Sequence, residues 1–287
     1  MTFVRRGIDA PEHPVLIVVL EGWVDAGFAA ATAASVLLEQ NATRTYAAFA
    51  GDDLIDYRAR RPQLRIRDGV RRRIYWPEPR LRVGTDPLGL GIALLVGPEP
   101  DYRWRPFAAE VTELALEIGT RLVVGLGGFP APTPHTRKIG ITTTASDAAL
   151  ARQVGFVPGR LGVPAGIADV LGAACTEAGI PSVGLWARVP HYSASSLFPA
   201  AAVALLEALA QLTGIQVDMS ELRHNAEEHL RQVDELVAKN EETAALAREL
   251  ERQFDAGVGT PVVAEANLPS ADELAAELER YLRGELS

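Results

Sequence analysis

Along the first two-thirds of the chain, short unbroken apolar runs alternate with longer stretches whose apolar residues recur every three or four positions. The run VLIVVLE at 15–21 is rich in Val and Ile, which predicts a strand buried on both faces. It passes through Gly-Trp-Val-Asp-Ala-Gly (22–27) into the Ala-rich stretch FAAATAASVLLEQ, so strand, glycine turn and helix follow one another. RTYAAFAG (44–51), GIALLVG (91–97), RLVVGLGG (121–128), ITTTAS (141–146) and SVGLWARV (182–189) predict further strands. Helices are expected at 104–119, where Phe107, Val111, Leu114 and Ile118 share a face, and at 164–179 and 198–214, with another starting near Asp147. Three prolines in FPAPTPHTRKIG place the segment after residue 128 in a stiff loop.

Two segments break this alternation. Between Leu54 and Val83 arginines alternate with Leu, Ile and Tyr around a central Asp-Gly, which predicts an antiparallel hairpin with one wet face. From Asp218 onward the chain turns helical and charged, with an interrupted apolar stripe through Leu222, Leu230, Val233, Leu236, Leu246, Leu250 and Phe254. The stripe is too broken for a coiled coil and fits a pair of amphipathic helices packed on the body or on a partner. A last helix is expected at 270–284, opened by a Ser270–Glu273 capping box. The fold class read from this pattern is α/β: a three-layer α/β/α body over 1–219, with a mixed, mostly parallel sheet and an antiparallel insert near 54–83. Residues 220–287 form an acidic helical appendage.

Charge sharpens that division. The net charge of -9 comes from 28 Lys+Arg and 37 Asp+Glu; residues 220–287 hold 7 basic and 16 acidic side chains, so 7 − 16 = -9. The body is therefore neutral, without the overall basic field of a general nucleic-acid binder. Ten arginines between 58 and 82 face only Asp68 and Glu78. Spread along a hairpin they discourage edge-to-edge aggregation, and they also suit an acidic docking partner, the appendage of this or another copy included. RNA binding is the weaker use. The longest apolar run near the start is six residues, too short to span a bilayer. A single cysteine, Cys175, in an apolar helical stretch fits a core position and a cytoplasmic setting. Only Lys138 and Lys239 accompany 28 − 2 = 26 arginines, a bias that points to a GC-rich genome.

Chemistry is sparse. In open α/β sheets ligands sit beyond the carboxyl ends of the strands, which directs attention to the loops at 22–27, 127–137 and 189–196. The candidate ligand-binding residues are Gly22 and Asp25, then Gly128, His135, Thr136 and Arg137, then His191 and Tyr192. Asp25 either caps the following helix or serves as a base or hydroxyl acceptor. His135, Thr136, Arg137 and Lys138 form a cation-bearing cluster that either holds a phosphate or carboxylate, whose oxygens a guanidinium and a hydroxyl match, or belongs to a solvated loop or a subunit contact. Gly125-Leu-Gly-Gly lacks dinucleotide-loop spacing, and Walker A, Gly-x-Ser-x-Gly and metal-ligand patterns are absent. No catalytic set, metal or cofactor is assigned.

Several ordered segments together resemble the actinobacterial branch of the proteasome-assembly-chaperone family: LEGWVDAG, AGDDLIDYRARRP, GPEPDYRW, GLGGFPAPTPHTR, TTTASD, GVPAGIADVLG and VPHYSASSLFPAAAVALLEAL. The resemblance spans roughly residues 12–255. It implies a three-layer fold akin to nucleoside phosphorylases with added C-terminal helices, and self-association, a trimer being one arrangement. It also implies proteasome-related partners; the short apolar runs and the neutral body add the expectation of no membrane and no nucleic acid. Some archaeal relatives insert a hydrophobic-Tyr-any residue tail between proteasome α-subunits. This chain ends Gly284-Glu285-Leu286-Ser287, so that device is not expected. Some related bacterial sequences are labelled carboxylate–amine ligases, a label that no ATP-binding signature here supports. The reading from sequence is a homo-oligomeric protein-interaction module. The alternative is a nucleoside phosphorylase- or hydrolase-like enzyme or binder with its site at the strand ends.

Overall fold

The computed structural model describes residues 3–22, 24–154, 160 and 162–256; the helix expected at 270–284 lies outside the described residues. In chain order the first half holds β1 (Phe3–Arg5), β2 (Val15–Glu21), α1 (Ala29–Gln40), β3 (Arg44–Phe49), α2 (Gly51–Leu54), β4 (Gln63–Arg67), β5 (Val70–Tyr75), β6 (Arg80–Thr85), β7 (Gly91–Pro98) and α3 (Trp104–Glu117). The second half holds β8 (Leu122–Ala131), β9 (Ile141–Ala145), α4 (Ala148–Val154), α5 (Ile167–Glu177), β10 (Ser182–Pro190), α6 (Pro199–Thr213), α7 (Ser220–Ala238) and α8 (Glu241–Asp255).

Eight strands hydrogen-bond in the order β1-β3-β6-β7-β2-β8-β10-β9. The central four, β7, β2, β8 and β10, are mutually parallel, and β3 runs with them. The sheet is thus mixed and mostly parallel. β2 shows why its sequence is apolar without alternation. Val15, Ile17 and Val19 enter one core with α1 and α6, while Leu16 and Val18 enter the other with α3 and α5. Burying both faces leaves no position for a polar residue. Phe49, Phe107 and Phe198 anchor these two cores without measurable exposure.

Three readings change. β8 runs through Phe129 and Pro130 to Ala131, where a stiff loop was expected. Ladder pairing with β2 stops at Gly125, and beyond an isolated bridge at Gly128 β8 pairs only with β10, so the missing proline N–H breaks no ladder on the β2 side. The segment 54–83 is not one hairpin: Arg80–Thr85 joins the main sheet between β3 and β7. Only β4 and β5 form the hairpin, around Asp68 and Gly69, whose φ values of 53° and 75° give the left-handed pair that an Asp-Gly turn adopts. Both of its faces are wet, every residue of the two strands being exposed.

The acidic helices pack on the body. Leu222 of α7 enters the core shared by α1 and α6, Leu230 packs beside it, and Ala226 and Val233 on the same side are buried. Among the described residues no helix is long and apolar enough to cross a membrane.

Candidate functional site

The three loops singled out from sequence all lie at the carboxyl ends of the parallel strands, and Asp25 meets Gly128 there in an isolated parallel bridge. A Cβ on Gly128 would sit 2.7 Å from the Ala26 carbonyl oxygen, so the close approach of the two loops requires glycine. Asp25 serves the helix. Its Oδ1 accepts the Ala30 N–H at 2.8 Å and its Oδ2 the Ala31 N–H at 3.0 Å. Burial pushes the carboxyl pKa up despite these two bonds. The turn between them is strained: Gly27 and Phe28 both have positive φ, and a bulky residue seldom adopts it. Backbone bonds to the next loop hold the turn, the Gly27 N–H donating to the Ala194 oxygen and the Phe198 N–H to the Gly27 oxygen.

Gly22 stands apart, beside the guanidinium of Arg60, which donates to the Glu99 carbonyl oxygen and to Asp101. Glu99 is itself 7% exposed and accepts the Ile167 N–H at the start of α5, at 2.8 Å. A carboxylate at a helix N-terminus satisfies free amides and opposes the helix dipole.

The second and third loops do come together. His135 is buried, and its backbone N–H donates to the Tyr192 oxygen at 2.9 Å. The tyrosine hydroxyl is then free to donate to Nδ1 of His135, 2.7 Å away, which leaves the neutral ring's proton on Nε2, facing Asp234 of α7 at 2.9 Å. His191 packs edge-on to Tyr192 and its Nδ1 lies 3.4 Å from the Ala131 oxygen. Next along the loop Thr136 donates to Glu251. Arg137 grips Asp255 with two parallel bonds of 2.8 and 2.7 Å, and Glu251 lies 3.6 Å from it. That pairing holds the Asp255 carboxyl below its ordinary range and raises the already high pKa of Arg137.

These partners on α7 and α8, namely Asp234, Glu251 and Asp255, were missed from sequence. The signal was available: a cationic loop and an acidic helix pair are the two halves of an ion-pair seam. His135, Thr136 and Arg137 therefore clasp the appendage to the body. The hairpin arginines do not: among the described residues no salt bridge joins β4 or β5 to α7 or α8. Among the described residues no hydrogen bond joins Asp25, Arg137 and His191 to one another, and no serine hydroxyl or cysteine thiol hydrogen-bonds to His135 or His191. No described cluster of His, Cys, Asp and Glu could hold a metal ion.

With this geometry in place, similarity to known proteins can be added. The family model described as the PAC2 family matches residues 19–237. A Mycobacterium tuberculosis protein of unknown function is 34% identical, with a TM-score of 0.81 over 90% of this chain and 90% of that one. A proteasome-assembly-chaperone homologue from Mycobacterium tuberculosis is 36% identical, with a TM-score of 0.75 over 81% of this chain and 99% of its own. A PAC2 family protein from Streptomyces avermitilis is 37% identical, with a TM-score of 0.74 over the same shares, 81% and 99%. No curated protein matches the chain.

Proposed function

The chain belongs to the PAC2 family, and from that premise we propose that it is a protein-interaction module of the proteasome-assembly-chaperone kind, working as a homo-oligomer. One observation carries the proposal. The β4–β5 hairpin carries Leu64, Ile66 and Ile74 on one face, at 43%, 61% and 49% exposure, and no other described element covers them. A two-stranded hairpin alone in water is at best marginally stable. Its other face carries Arg65 and Arg73 stacked on the Tyr75 ring, 5.2 and 4.9 Å from its centroid. The described part of the appendage, residues 220–255, carries 10 acidic and 5 basic side chains, so 5 − 10 = -5.

A basic arm on one copy and an acidic surface on the next make a head-to-tail contact, which closes into a ring when the rotation allows; a trimer is one such ring. The oligomer then presents a composite surface to proteasome-related subunits. The body and the appendage are proposed to divide near residue 219, with the appendage as the acceptor surface. The small-molecule reading is taken no further, because Asp25, Arg137 and His191 each have a partner within the fold.

The test is reconstitution with proteasome α-subunits from the same organism, followed on native gels. Faster ring formation with the wild-type chain, lost with Leu64→Glu/Ile74→Glu, is expected. Assembly kinetics that a stoichiometric amount of the chain leaves unchanged would refute the proposal.

A further inference from the structure

A concavity lies away from the carboxyl ends of the strands, on the sheet face that carries α5, near the amino ends of β8 and β10. Its volume is about 410 Å³, within the range of small-molecule pockets. The absence of side chains opens it. Gly125 of β8, Gly184 of β10 and Gly172 of α5 all line it, and a Cβ on Gly184 would stand 2.5 Å from Thr144 Oγ1 and 3.1 Å from Trp186 Nε1. An indole N–H and a hydroxyl thus lean together over a glycine, and neither has a hydrogen-bond partner among the described residues. The six-membered ring of Trp186 lies across Gly127 of the neighbouring strand, so one indole face is turned from the sheet.

The remaining polar groups complete a pattern. The Thr176 hydroxyl donates to the Gly172 oxygen at 2.8 Å, so in its 3.0 Å contact with Ser182 the serine donates and keeps its lone pairs free. Two carboxylates, Asp169 and Glu177, stand at the rim, and among the described residues no Lys, Arg or His lines the cavity. A phosphate or carboxylate would meet only negative charge. A simple ammonium ion would leave the indole N–H and the Thr144 hydroxyl without acceptors, which wastes their desolvation. A molecule whose hydroxyls both donate and accept, and whose C–H face can lie on an indole, satisfies every group at once. We propose that this pocket binds a neutral polyhydroxylated ligand of one or two sugar rings, independently of the contacts at the hairpin and the appendage.

The experiment follows the Trp186 indole N–H by NMR in the full chain, assigned through its loss in Trp186→Phe. Probes are methyl glycosides of common hexoses and pentoses, with a sugar phosphate and putrescine for comparison. A saturable shift is expected with at least one neutral glycoside and none with putrescine. The sugar phosphate should bind at least about threefold more weakly, and Thr144→Val, which is isosteric and lies on the edge strand, should weaken the glycoside by a similar factor. No response to any neutral glycoside at tens of millimolar, an equal response to putrescine, or unchanged binding in Thr144→Val would overturn the assignment.

Discussion

The hairpin and the C-terminal helix pair are both charged elements attached to the α/β sheet, yet among the described residues one is covered and the other is not. On α7 the apolar residues Leu222, Ala226, Leu230 and Val233 fall on one side of the helix and pack inward. On the hairpin Leu64, Ile66 and Ile74 fall on one side of a two-stranded ribbon, and no other described element packs over them. The helix has the polar-outside, apolar-inside pattern of an element made to be buried, whereas the hairpin's apolar face also carries Arg71 opposite Ile66 and its other face holds Val70 and Tyr75. The helices find their complement within the described chain; for the hairpin, the complement proposed above is a second copy. Amphipathic patterning tells that a face is to be covered and leaves the identity of the cover to three-dimensional placement.

The comparison can be broken first on the side of the helices. Leu222→Asp combined with Val233→Asp places two charges in an apolar seam without partners, which is expected to cost at least about 3 kcal/mol. Hydrogen exchange should then rise across residues 220–255, with the sheet core unaffected; an unchanged protection pattern would mean that the seam is not what holds the helices.

Arg137→Ala should have a smaller and more local effect. It removes the two bonds to Asp255, and faster exchange confined to α8 is the expected result, since the apolar contacts of α7 remain. Acidification should loosen the same region in two steps. His229 packs on Phe198, and burial lowers its pKa below the usual 6.5. A lowered folded-state value means its contribution is fully present above the unfolded value of about 6.5 and is lost as pH falls from there through the folded value. The Asp255 carboxyl, depressed by Arg137, contributes fully above its unfolded value of about 3.8 and loses that contribution as pH falls through its lower folded value. Exchange in α7 should therefore quicken first, as pH falls below about 6.5, and the α8 clasp should open only as pH falls through the carboxylate range. Simultaneous opening would contradict the separate roles.

Much of this was legible beforehand, because strands buried on both faces and helices with a four-residue stripe write their burial directly into the sequence. The Asp68-Gly69 turn is the clearest local case, two residues dictating a left-handed pair. The strand through Pro130 was hidden, since a proline is compatible with a ladder only when the neighbouring strand has already ended, and that is a fact about β2. The fate of Arg137 was hidden for the same reason. Its pattern fits a ligand anion as well as an acidic helix, and only the placement of Asp255 decides. Asp25 was read as either cap or base, and its bonds to Ala30 and Ala31 show it capping.

On the side of the hairpin the expected effect on the fold is the smallest of all. Leu64→Glu with Ile74→Glu changes two exposed side chains and should alter the stability of the isolated subunit by no more than about 0.5 kcal/mol. Urea denaturation at a concentration where the variant is monomeric checks this, and a large loss would mean that the two residues support the body after all.

The same pair of substitutions gives the most direct test of the central claim, that the hairpin is an arm for self-association. Sedimentation equilibrium of the full chain should return a multiple of 30.8 kDa for the wild type, falling as salt is raised, and 30.8 kDa for Leu64→Glu/Ile74→Glu. A wild-type mass of 30.8 kDa, or the same multiple for both proteins, would contradict it.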